Sequence, residues 1–164
     1  MMQKIFLIIL VSLLFEGCNI TKNATADEVP QAKPGIKAEN AKFYIETYEK
    51  NLGKEINPKV LRIKMEQLMP DNNLSVVYRI ENANYIIKVF TNTFKQKKEN
   101  HMCYSVLTGE IKIYDSLGRL VLIHKIKGIS GKNLNYIKAG FDAYNNLADY
   151  MNSVFIPSLK DALK

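Results

Sequence analysis

The chain has 164 residues, 47% of them hydrophobic, with 23 Lys and Arg against 16 Asp and Glu and a formal net charge of +7. This length holds one domain of ordinary size, large enough for a core without disulfide staples, and two Cys exclude a disulfide framework. The basic balance selects anionic lipid, acidic polymers or acidic protein surfaces as partners, with nucleic acid to be weighed against them.

Met1 to Lys4 carries one positive side chain, and Ile5 to Phe15 (IFLIILVSLLF) is apolar except for Ser12. Glu16, Gly17 and Cys18 follow. A basic start, an apolar run and a small residue before a break describe an export signal over residues 1–17. A retained transmembrane helix needs about 20 apolar residues to cross roughly 30 Å, whereas this run reaches only about 16 Å. Export in turn excludes nucleic acid.

Leu14-Phe15-Glu16-Gly17-Cys18 resembles the bacterial lipobox, a Leu-like residue and two mostly small residues before a Cys. Gly17 and Cys18 fit, while Phe15 and Glu16 depart from the pattern. The resemblance implies cleavage between Gly17 and Cys18, diacylglycerol on the Cys18 thiol and acylation of the new amine by a chain such as palmitate. Two or three chains anchor stably where one holds only marginally. The alternative is an ordinary signal-peptide Cys and a soluble product. Asn19 after the Cys resembles outer-membrane sorting, which implies a lipoprotein on the outer membrane facing the periplasm.

Residues 18–40 are polar, with two Pro and one Gly, and read as the lipidated Cys and a flexible tether. About 22 such residues have a root-mean-square span of ~25 Å and a limit of ~75 Å. The single folded domain occupies 41–164. Lys42 to Glu49 reads as a strand. Asn57-Pro58 reads as a helix start, with Asn57 as cap, and Val60, Leu61, Met65, Leu68 and Met69 follow at helical spacing. Pro70 to Asn73 ends that helix. Leu74 to Arg79 reads as a short strand, Tyr85 to Lys95 as a long one and Cys103 to Asp115 as another. The cluster Lys95-Gln96-Lys97-Lys98 reads as a solvated hairpin tip, or second as a lipid or partner contact. Ser116-Leu117-Gly118 turns the chain into a hairpin strand over Arg119 to Ile129. Ile137, Phe141, Tyr144, Ala148, Met151, Phe155, Leu159 and Ala162 step along one helix face, with Pro157 expected to kink it. The order predicts an α+β fold: a two-layer sandwich with a mainly antiparallel sheet of about 4–5 strands and two helices on one face, the C-terminal one long.

Catalytic chemistry is not announced. His101-Met102-Cys103 offers two ligands where zinc needs three or four, so no metal site is expected. His124 sits in a strand, facing solvent or packing beside Tyr104. The carboxylates are scattered, and no P-loop, GxGxxG, HExxH or GxSxG occurs, so neither a catalytic residue nor a cofactor is expected. Gly128 to Lys132 reads as a strand-to-helix turn. Cys103 reads as a small buried apolar residue, with a reactive thiol as the minority reading. Asp71-Asn72-Asn73-Leu74-Ser75 resembles an acidic bacterial N-glycosylation sequon with Asn73 as acceptor; it also reads as a plain helix-to-strand turn.

Three stretches carry a further resemblance over about residue 41 to the end. They are PKVLRIKMEQLM followed by LSVVYR, the strand NANYIIKV, and the hairpin IYDSLGRLVLIHKIKG. In order and polarity they resemble the envelope-lipoprotein superfamily of CsgG, the TolB amino-terminal domain and LpoB. The chain lacks room for the membrane-spanning hairpins of CsgG and is closer in plan to LpoB: lipid, tether, small domain. The resemblance implies a non-catalytic module that binds an envelope protein, such as a cell-wall synthase or a secretion or motility complex. The bilayer is the other partner, through acylated Cys18, and the oligomeric state stays open. One alternative is an auxiliary lipoprotein of a lipid transport system with an apolar ligand, which needs a groove between helix and sheet. A second is an envelope enzyme, which needs convergent polar groups in a pocket.

Overall fold

A computed structural model describes residues 36–96 and 102–164. The signal, Gly17, Cys18, most of the tether, Lys97, Lys98 and His101 lie outside the described residues. Four strands alternate between buried and partly exposed side chains, the period of a sheet with one covered face. They are β1 (Lys42–Asn51), β4 (Tyr85–Lys95), β5 (Ser105–Asp115) and β6 (Leu120–Ile129). Two short strands, β2 (Lys54–Glu55) and β3 (Ser75–Val76), pair with β1. The order is β2-β1-β4-β5-β6.

The two-layer α+β expectation holds, with a mixed sheet. The β4–β5 and β5–β6 pairs are antiparallel, but β1 runs parallel to β4 from Phe43↔Tyr85 to Asn51↔Thr93. The cause is topological. Helix α1 (Val60–Asp71) lies between β1 and β4 in the chain, and such a crossover returns the strand in the same direction.

Helix α1 begins at Val60, two residues later than the Asn57-Pro58 start expected from sequence. Its N-terminal amides are capped from another strand. Glu49 of β1 is fully buried, and its carboxylate accepts from Leu61 N at 2.8 Å and Arg62 N at 2.9 Å. An anion at a helix N-terminus meets both the orphan N–H groups and the positive end of the dipole. At the other end Asn73 adopts φ +61°, while Leu74 N donates to Met69 O and Asn73 N to Pro70 O, both at 2.9 Å. This left-handed Schellman closure suits Asn better than most side chains.

Helix α2 (Tyr136–Tyr150) is capped by the Asn135 side chain, which accepts from Lys138 N at 2.8 Å. It continues through a wide π turn (Met151–Phe155) into α3 (Ile156–Ala162). Pro157 explains the break, because it has no N–H to donate back into the preceding turn. The buried stripe differs from the expected one: Ile137 and Phe141 are exposed, and Ala139, Gly140, Ala143, Tyr144 and Leu147 face the sheet. Close approach rotates the helix this way. A Cβ on Gly140 would overlap the Asn51 side chain, and one on Gly128 of β6 would lie 2.9 Å from the Ala143 carbonyl. Phe43, Ile45, Ile87, Leu107, Ile111 and Phe155 fill the core between the layers.

Candidate functional site

The described helices cover one face of the sheet, and among the described residues the other face is open. Its side chains form rows across the strands. Tyr44, Ile86 and Tyr114 make one row; Glu46, Lys88, Lys112 and Ile123 the next; Tyr48, Phe90, Glu110 and Lys125 a third. Solvent-facing positions of such a sheet are commonly polar, yet here large rings recur. Tyr48 and Phe90 stack with centroids 4.7 Å apart and planes 2° apart. Tyr48 is exposed, and Phe94 farther along the same side of β4 is half-exposed.

The charges on this face are mutually engaged. Lys112 Nζ lies 2.6 Å from Glu110 and 5.7 Å from the Phe90 centroid. Lys88 lies 3.4 Å from Glu46, which also accepts the Tyr48 hydroxyl at 2.7 Å. That bond and the Glu46 charge raise the Tyr48 phenol above its ordinary value. The face therefore offers stacked ring area flanked by the paired charges of Glu46, Lys88, Glu110 and Lys112.

The opposite face carries polar groups that lock the layers together. The Tyr144 hydroxyl donates to Lys50 O at 2.9 Å and so receives the Thr91 hydroxyl, also at 2.9 Å. Burial, with the Glu49 charge added, pushes this phenol up to about 12, so it remains a donor at physiological pH. His124 faces this core rather than solvent or Tyr104. Its Nε2 is 3.2 Å from the Tyr150 hydroxyl, and Phe155 meets the ring edge-on. Burial holds the imidazole below its ordinary 6.5, and no carboxylate bonds to it among the described residues. Below about pH 6.5 the unfolded chain takes up a proton that the folded chain refuses. Stability therefore falls on acidification until pH reaches the depressed folded value. His124→Gln should flatten that acid-side slope in urea melts between pH 7 and 5; an unchanged slope would show that His124 is not its source.

The described residues hold no group of three His, Cys, Asp or Glu able to bind a metal. A depression of about 190 Å³ separates α1 from α2, lined by Leu61, Lys64, Met65 and Met151 among others. Another, of about 340 Å³, is lined by Lys37, Glu39, Asn73, Lys160 and Lys164. Neither contains His, Cys or a nucleophilic hydroxyl, and neither penetrates between helix and sheet. Asn73 sits exposed at the rim of the second. Cys103 is buried and free, held where its backbone bridges to Asn133.

The described domain is thus a two-layer α+β sandwich with one uncovered, aromatic sheet face. No protein-family model matches the chain, and no curated protein matches it. Solved structures do. The minor lipoprotein from Acinetobacter baumannii is similar with a TM-score of 0.51 at 13% identity, over 72% of this chain and 94% of that one. Lipoprotein GNA1162 from Neisseria meningitidis gives 0.46 at 6% identity, over 74% and 99%. Uncharacterized lipoprotein B from Nitrosomonas europaea gives 0.43 at 10% identity, over 85% and 90%. The first of these likenesses establishes that the chain has a fold used by a bacterial lipoprotein. No described helix is long and apolar enough to cross a membrane.

Proposed function

We propose that this chain is an envelope lipoprotein, anchored through acylated Cys18 to the outer membrane and facing the periplasm, that binds a protein partner without catalysis. The kinship with the CsgG, TolB amino-terminal and LpoB group belongs to the same proposal. The observation that carries the binding role is the Tyr48–Phe90 stack on a sheet face that no described helix covers. Flat aromatic area of this kind supplies contact surface at low side-chain entropy and is enriched at interfaces. Partners of the kind named from sequence, a cell-wall synthase or a secretion or motility complex, present folded surfaces that such a face can meet. The lipid-transport reading is weaker, because neither of the two depressions described above is lined by a strand residue. The enzyme reading is weaker still, because neither depression is lined by a His, a Cys or a hydroxyl nucleophile.

A photo-crosslinking amino acid placed at Phe90 in cells should yield one discrete protein adduct. The same group at Lys64, on the helix face, should not. Identical adduct patterns at both positions would remove the open face from the proposal.

A further inference from the structure

We infer that the end of the sheet where the chain enters the domain is a second contact surface, and that its partner is the bilayer itself. This rests on the reading of Cys18 as a lipid anchor. Phe43, Tyr85 and Asp115 are cross-strand neighbours at one end of β1, β4 and β5. The connections beyond them project from that same end. The β3–β4 loop carries Tyr78 and Ile80, 74% and 49% exposed, and the β5–β6 turn carries Leu117, 76% exposed. The chain arrives there too: the Tyr85 hydroxyl donates to the carbonyl of Ile36 at 2.9 Å.

Nothing in the turn requires Leu at its tip. Gly118 supplies the positive φ of +77°, and Asp115 supplies the acceptor for Leu117 N and Arg119 N. A polar residue at 117 would close the hairpin equally well, so the apolar side chain is surplus to folding. Tyr78 and Ile80 likewise project from a loop whose backbone is tied to β1 through Val77 N and Phe43 O. An aromatic with a polar tip beside aliphatic side chains, rimmed by Lys37, Lys42, Arg79 and Arg119, has the chemistry of a bilayer interface. Glu39, Glu81 and Asp115 offset most of that charge, so apolar insertion carries the contact and a neutral bilayer suffices.

The tether joins the domain at this end, and its root-mean-square span of roughly 23 Å keeps this end, on average, nearer to lipid than the other. Eighteen residue steps separate Cys18 from Ile36, a contour limit of roughly 63 Å. The opposite end lies a strand length away, roughly 35 Å for the 11 residues of β4. Seating Tyr78, Ile80 and Leu117 in the headgroup region therefore fixes the domain upright. The open sheet face then stands perpendicular to the membrane, clear of it and free for protein.

The chain contains no Trp, so a single introduced Trp reports alone. Leu117 and Leu134 are 76% and 77% exposed and lie at opposite ends, which makes them a matched pair. The full-length lipoprotein, matured in cells, extracted in detergent and reconstituted in phosphatidylcholine vesicles with brominated acyl chains, is the sample. Mass spectrometry first establishes acyl chains on Cys18. Quenching of L117W about threefold stronger than that of L134W is the expected result, consistent with burial to the acyl boundary. Acylated protein with equal quenching at both positions overturns the inference and leaves the anchor standing; a rim that binds protein instead gives this result. Absence of acyl chains on Cys18 overturns the anchor and the inference together.

Discussion

Glu49→Ala should lower the unfolding free energy by about 3 kcal/mol, read from the urea midpoint at unchanged denaturant slope. The carboxylate is fully buried and accepts from the first turn of α1 with both oxygens, at 2.8 and 2.9 Å. Truncation leaves two helix N–H groups without an acceptor in a site water does not reach. Losing an ordinary cap costs about 1 kcal/mol, and bonds to a charged acceptor roughly double that, before the cavity is added. Glu49→Gln keeps one carbonyl acceptor and should recover about half of the loss. A change below about 0.5 kcal/mol for the Ala variant would mean that α1 is held by its packing alone.

The second large effect concerns address. Cys18→Ala should move the protein from the membrane fraction to the soluble periplasm, or leave an uncut precursor, and should abolish incorporation of labelled palmitate. Cys103→Ala is the matched control, because that thiol is buried beneath the loop before α2, with its Sγ 4.0 Å from Leu134 O. It should keep both labelling and location. Equal labelling of wild type and Cys18→Ala would sink the anchor. The size of the effect follows from acyl-chain arithmetic: two or three chains hold a protein almost permanently, and their loss removes nearly all membrane affinity.

Much of this fold is legible in the sequence, for a local reason. β4, β5 and β6 announce themselves through β-branched and aromatic composition, and Ser116-Leu117-Gly118 through turn chemistry, because both signals lie within a few residues. What escapes is set at a distance. The parallel direction of β1 depends on where α1 carries the chain, and the cap of α1 comes from a strand residue 12 positions earlier. The buried stripe of α2 leaves out Ile137 and Phe141 because helical spacing marks apolar residues, whereas Gly140 and Ala143 decide which side comes close to the sheet. The open face is hidden in the sequence for a related cause. Tyr44, Tyr48, Ile86 and Phe90 read as ordinary strand formers, and their significance appears only once the helices are known to lie on the other side.

The hydroxyl of Tyr144 ends on the carbonyl of Lys50, 94 positions earlier. A ribosome delivers β1 long before it delivers the helix that closes over it. Until α2 and Phe155 have emerged, the inner side of the sheet is covered by α1 alone, and non-local pairing of this kind is slow to form. The domain must therefore mature as a unit after the whole chain has been delivered. During that interval the half-made sheet exposes apolar surface that the finished domain buries.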